Sequence, residues 1–139
     1  EEFVTRKITK GVAKIYLGLS DNVQIGNLNA VRDWGWAPDY VYAMHLMLQA
    51  SVPRDYVIAT GINTSVKTFL KEAFNVVGLD YEQFVRFDRR SFRPEETVPL
   101  CGDATKAQNE LGWQPTRNIK QIIREMVTAD IAHAQRTKK

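Results

Sequence analysis

Apolar side chains recur along this chain at two spacings, and the change from one to the other marks out its elements. Val4, Ile8, Val12, Ile15 and Leu19 step by four and three, which predicts one buried stripe on a helix. Gly18 and the Ser20-Asp21-Asn22 run are expected to end that helix, and Val23, Gln24 and Ile25 read as a short strand closed by the Gly26-Asn27 turn signal. Pro38-Asp39 opens a second helix, with Asp39 as the N-terminal cap and Tyr40, Val41, Met44, Met47 and Leu48 as its buried side. Pro53 breaks the chain before Tyr56, Val57, Ile58, Ala59 and Thr60, a near-continuous apolar run closed by Gly61. Such a run predicts a strand covered on both faces, as in a parallel sheet.

Ser65 suits the cap of a third helix whose stripe is Val66, Phe69, Leu70, Ala73 and Val77, with Gly78 where a left-handed terminal residue is wanted. Residues 84–87 read as a strand and residues 86–94 as an irregular, arginine-rich loop. A short helix over 103–111 is expected to stop at Gly112. Asn118 with Gln121 three residues on resembles a capping box for a last helix, whose stripe is Ile119, Ile122, Ile123, Met126, Val127 and Ile131. Helices alternating with short apolar strands make the chain α/β.

The 139 residues fit one ordinary domain, and 44% hydrophobic with 25% charged residues is globular rather than disordered. Arg136, Lys138 and Lys139 account for the whole net charge of +3, so the body is neutral. A nucleic-acid partner needs a basic face on the body and is not expected. Cys101 is the one cysteine, which excludes an internal disulfide and fits a reducing, cytoplasmic setting; it is expected to be a small buried apolar residue. No apolar run approaches the roughly 20 residues of a membrane span, and the mixed-charge start is no secretory leader. The chain begins without methionine, inside an expected helix, as a fragment would.

Several chemistries lack their parts. A dinucleotide-binding loop needs glycines close together so that backbone can approach a pyrophosphate, yet the nearest pair here, Gly11 and Gly18, is seven residues apart. No tyrosine is followed four residues later by lysine, the acid/base pair of short-chain reductases. Cys101, His45 and His133 cannot assemble four zinc ligands, and neighbouring Glu95 and Glu96 diverge in direction. What remains is anion chemistry. Arg32 in Arg-Asp-Trp-Gly and Arg93 in Phe-Arg-Pro each sit in a turn-prone, aromatic-flanked setting that can hold a guanidinium still. A planar fork of donors fits phosphate oxygens two at a time, so two such arginines suit a pyrophosphate.

The landmarks Phe3-Val4-Thr5-Arg6-Lys7-Ile8, Gly26-Asn27-Leu28, Arg32-Asp33-Trp34-Gly35, Asp39-Tyr40-Val41, Tyr56-Val57-Ile58-Ala59-Thr60-Gly61, Phe92-Arg93-Pro94, Gly102-Asp103, Leu111-Gly112-Trp113 and Arg124-Glu125-Met126-Val127 stand in one order. In that order and spacing the chain resembles the C-terminal, substrate-binding half of the GDP-mannose 4,6-dehydratases, extended short-chain dehydrogenase/reductases. The resemblance implies an α/β substrate-binding half lacking the main Rossmann unit, with residues 1–139 as one partial domain and 39–61 packing on the missing dinucleotide-binding half. It implies binding of GDP-mannose or a related nucleotide sugar. NADP would be held, and the chemistry done, by the absent half, so this chain alone is expected to be inactive. By resemblance, Lys7, Arg32 and Arg93 would contact the diphosphate and Glu96 the ribose hydroxyls. Val4, Asn27 and Leu28 would line the guanine pocket.

The four charged residues among these each have a plainer reading. Lys7 lies on a solvated helix face, Arg32 can pair with Asp33 or stack on Trp34, Arg93 can join Arg86, Arg89 and Arg90, and Glu96 can neutralise that cluster. The family usually has His-Ala-Lys-Asp where Trp36-Ala37-Pro38-Asp39 stands, and Pro99 and Cys101 also depart from its pattern. A stand-alone, non-catalytic binding or oligomerisation module is the alternative. Apolar faces left without the second half predict self-association or rearrangement.

Overall fold

The computed structural model describes residues 3–89 and 100–137, and their elements follow the expected α/β alternation. They are α1 (Val4–Tyr16), β1 (Val23–Ile25), β2 (Val31–Asp33), α2 (Ala37–Gln49), β3 (Asn63–Ser65), α3 (Val66–Val76), α4 (Tyr81–Phe84), β4 (Val85–Phe87), α5 (Thr105–Leu111) and α6 (Ile119–Thr137). The chain forms two compact units. One takes Glu1–Ala30, Ser65–Thr97 and Ile123–Lys139, the other Val31–Thr64 and Val98–Ile122.

The first unit is built around α1, which packs on α3 and on β1. Ile8, Val12 and Ile15 are buried on α1 as expected, but Leu19 is 45% exposed. Gly18 is the cause: it takes φ +67 and closes the helix, so that Leu19 donates its amide back to the Lys14 carbonyl and leaves the stripe. Gly11 lets the helix approach the strand, because a Cβ there would stand 2.7 Å from Val23 Cγ2. β1 pairs in parallel with β4, Val23 opposite Val85 and Ile25 opposite Phe87. α3 starts as expected, with Ser65 Oγ accepting from the Thr68 amide at 3.0 Å, and buries Phe69, Leu70, Ala73 and Phe74. Arg6 of α1 reaches Asp130 of α6 at 2.7 Å, and that carboxylate is 4% exposed.

The second unit packs α2 against α5. Its core is Ala43, Ala104, Ala107 and Trp113, with Leu46, Met47, Tyr56, Ile58 and Leu111 against them. Here the expected face of α2 is corrected. Val41 (63%), Met44 (59%) and Leu48 are exposed, and the inward line is Asp39, Ala43, Leu46 and Met47. The helix is apolar nearly all round, so periodicity alone could not choose a face. The small side chain of Ala43 decided it, by allowing close contact with Ala107 of α5 and with Ala104 just before that helix. Asp39 does not cap α2 either. Trp36 is the residue before the helix and makes no side-chain cap, while the Asp39 carboxylate is buried on Thr116, accepting from its amide at 2.8 Å and its hydroxyl at 2.7 Å. Residues 56–60 form no strand; only Ala59 is buried there, and Val57 is 55% exposed. A strand covered on both faces needs strands beside it and layers above and below, and among the described residues no strand pairs with this run. Cys101 is exposed, not buried as expected.

Candidate functional site

The second unit carries a hollow lined by residues from two stretches of the chain. β2 and β3 pair, and the Thr60–Ile62 turn leads directly into β3. Asp33, the last residue of β2, holds that turn: its Oδ1 accepts from the Thr60 amide at 3.1 Å and from the Thr60 hydroxyl, and its Oδ2 accepts from the Gly61 amide at 2.9 Å. Gly61 adopts φ +74, a left-handed conformation that glycine takes without strain. Successive amides around such a residue form an anion-receptive concavity, here filled by the chain's own carboxylate.

Beside this turn lies a cavity of about 350 Å³ lined by Trp34, Thr60, Ile62 and Thr64 on one side and by residues 115–119 and Gln121 on the other. The second wall is fixed by sequence-distant contacts. Asp39 pins Thr116, the Trp113 indole donates to the Asp39 carbonyl at 2.7 Å, and the Arg117 guanidinium lies 4.9 Å from the centre of the Trp36 ring. The capping box at the start of α6 forms as expected, Asn118 and Gln121 exchanging amide-to-side-chain bonds of 2.9 and 3.0 Å. The Tyr40 ring closes over Gly35. Burial first, then the charges of Asp33 and Asp39, push its phenol above the usual value. The wall from 115 to 121 was missed in the sequence; its only legible signals were Trp113 and the capping box. Trp34 also lines the cavity.

The residues singled out from sequence are distributed as follows. Arg32 is the middle residue of β2, exposed, with Nη1 donating to the Val31 carbonyl at 2.7 Å. It belongs to the second unit, whereas Val4, Lys7, Asn27 and Leu28 belong to the first. Val4 opens α1 and Lys7 follows one turn later, both half-buried. Asn27 Oδ1 accepts from the Asn29 amide at 2.9 Å, and the Leu28 carbonyl accepts from the Lys67 amide at 2.9 Å. Arg93 and Glu96 lie outside the described residues. Among the described residues no group of His, Cys, Asp or Glu is arranged to hold a metal ion, and no helix is long and apolar enough to cross a membrane. His45 is exposed on α2 and stacks on Tyr42, with 6.3 Å between ring centres.

Comparison with known proteins gives one consistent picture. Residues 1–126 match the family described as GDP-mannose 4,6 dehydratase. GDP-mannose 4,6 dehydratase 1 of Arabidopsis thaliana is 47% identical over 138 residues, covering 99% of this chain and 38% of that protein. The Homo sapiens GDP-mannose 4,6 dehydratase is 45% identical over 146 residues, covering 93% of this chain and 39% of that protein. The chain thus spans about two-fifths of the length of these curated relatives. Among solved structures, RMD from Pseudomonas aeruginosa complexed with NADPH superposes with a TM-score of 0.84 at 18% identity, covering 94% of this chain and 43% of that one. The dTDP-glucose 4,6-dehydratase of Bacillus anthracis in complex with NAD superposes with a TM-score of 0.74 at 17% identity, over 91% and 38% of the two chains. At those identities the structures speak for the fold.

Proposed function

The chain belongs to the GDP-mannose 4,6-dehydratase family of extended short-chain dehydrogenase/reductases, and from that premise we propose that it is the nucleotide-sugar-binding portion of such an enzyme. The observation that carries this reading is the match over residues 1–126, which includes every residue named from sequence for the ligand. Lys7, Arg32 and Arg93 are proposed to bind the diphosphate of GDP-mannose, Glu96 the ribose, and Val4, Asn27 and Leu28 the guanine. The exposed guanidinium of Arg32, on a strand whose end is held by Asp33, supports its part. The sugar itself would be worked on elsewhere. The complete enzyme would make GDP-4-keto-6-deoxymannose with NADP held by a dinucleotide-binding half, in the cytoplasm. In this chain no tyrosine precedes a lysine by four residues, so turnover with NADP by this chain alone should be undetectable.

The same premise proposes residues 1–139 as one partial domain whose segment 39–61 packs on the dinucleotide-binding half. The exposed side chains of Val41, Met44, Leu48 and Val57 support that part. In isolation such a face favours self-association; a clean monomer by light scattering would speak against it.

Calorimetric titration with GDP-mannose, GDP and a uridine nucleotide tests the ligand. Hydrogen bonds to charged groups contribute about 1.5–3 kcal/mol, so Arg32→Ala or Arg93→Ala should weaken GDP binding roughly tenfold to a hundredfold. If both variants bind GDP like the parent, the anchor assignment is wrong.

A further inference from the structure

Arg32 owes its place to a strand too short to hold itself. β2 and β3 are three residues each, and an isolated two-stranded pairing is marginal in water. What stiffens the pair is the residue next to the arginine. Both oxygens of the Asp33 carboxylate are engaged by the turn that feeds β3, through the Thr60 amide, the Thr60 hydroxyl and the Gly61 amide. The Thr60 hydroxyl in turn accepts from the Ile62 amide at 3.2 Å, so one carboxylate organises the whole reversal from 60 to 62. These bonds tie the end of β2 to the start of β3 across 27 and 28 residues of sequence.

We propose that Asp33 is a positioning residue for Arg32: its carboxylate, held in the Thr60–Gly61 turn, fixes the strand that presents the guanidinium, and so promotes capture of a nucleoside diphosphate. The inference rests on the reading of Arg32 as a diphosphate anchor. It runs against simple charge counting. A carboxylate beside an anion site repels the ligand, so on Coulomb grounds alone its removal would tighten binding. A carboxylate already filled by three donors exerts less of that repulsion. Its loss also leaves the strand free to move, so that the arginine must be ordered anew on each binding event.

The experiment is GDP titration by calorimetry on the 139-residue chain, comparing the parent with Asp33→Asn, Thr60→Val, Arg32→Ala and the Arg32→Ala/Asp33→Asn pair. Asp33→Asn should weaken GDP binding about tenfold although it removes a negative charge, and Thr60→Val, which keeps the carboxylate but not the hydroxyl donor, about threefold. On an Arg32→Ala background Asp33→Asn should change affinity by less than about twofold, a non-additivity that general destabilisation would not produce. Tryptophan fluorescence reports whether each variant is folded. Should Asp33→Asn unfold, Thr60→Val decides alone. Parent-like or tighter binding by Asp33→Asn, or an undiminished effect on the Arg32→Ala background, overturns the inference while leaving the anchor intact. No GDP binding by the parent, or Arg32→Ala binding like the parent, removes the anchor and the inference together.

Discussion

Asp39→Ala is the substitution that best separates the observed fold from the one periodicity suggests. As a helix cap, Asp39 would contribute about 1 kcal/mol, within a range of roughly 0.5–2. In the structure it is instead a buried carboxylate joined to Thr116 by two hydrogen bonds of 2.8 and 2.7 Å. Hydrogen bonds to a charged group contribute about 1.5–3 kcal/mol each, and donors left unpaired in a buried site keep their desolvation penalty. Truncation should therefore cost about 3–5 kcal/mol. At a urea slope of about 1.5 kcal/mol per M, the unfolding midpoint falls by at least about 2 M. Fluorescence is a selective probe of this loss, because Trp34, Trp36 and Trp113 all lie in the second unit. Trp113 is also bonded to the backbone of the mutated residue. Asp39→Asn, which keeps one acceptor but sets an amide against a donor, should lose about half as much. A midpoint drop below about 1.3 M for Asp39→Ala lies within what a mere cap would give, and would refute the anchoring role.

Three further outcomes follow from contacts elsewhere. Gly35→Ala should destabilise the second unit by about 1–3 kcal/mol, since its Cβ would collide with the Tyr40 ring and hydroxyl; with Tyr40→Ala added, chemical denaturation should show less than the sum of the two losses. Arg6→Ala leaves a carboxylate at 4% exposure without its 2.7 Å partner and should cost about 2–3 kcal/mol in thermal melts followed by helical ellipticity, a loss under about 1 kcal/mol counting against it. Thr105, through its hydroxyl first and then its amide, holds the exposed Asp103 carboxyl below its ordinary value of 3.8. A depressed carboxyl stabilises when ionised, so its support of the first turn of α5 is present above 3.8 and is lost as the pH falls through the lower folded value; Asp103→Asn should abolish that acid-side fraying of helical signal.

The amino-acid order by itself determined what depends on neighbours a few residues apart. The Ser65 cap, the Asn118–Gln121 box, the left-handed Gly78, the helix ends at Gly18 and Gly112, and the stripes of α1 and α3 are local, and each forms as the sequence implies apart from the exposed Leu19 and the half-buried Val77. Family membership was legible for the same reason, being carried by ordered short motifs. Tertiary structure decided the rest. Which side of an all-round apolar helix turns inward depended on Ala43 meeting Ala104 and Ala107, and whether Asp39 caps or anchors depended on Thr116, 77 residues away. The run at 56–60 has strand composition, yet a buried strand is a property of the sheet around it. Likewise Asp33 reads as an ion-pair partner for Arg32 until the turn at Thr60 and Gly61 is folded against it, because a carboxylate's role is set by the donors that surround it in space.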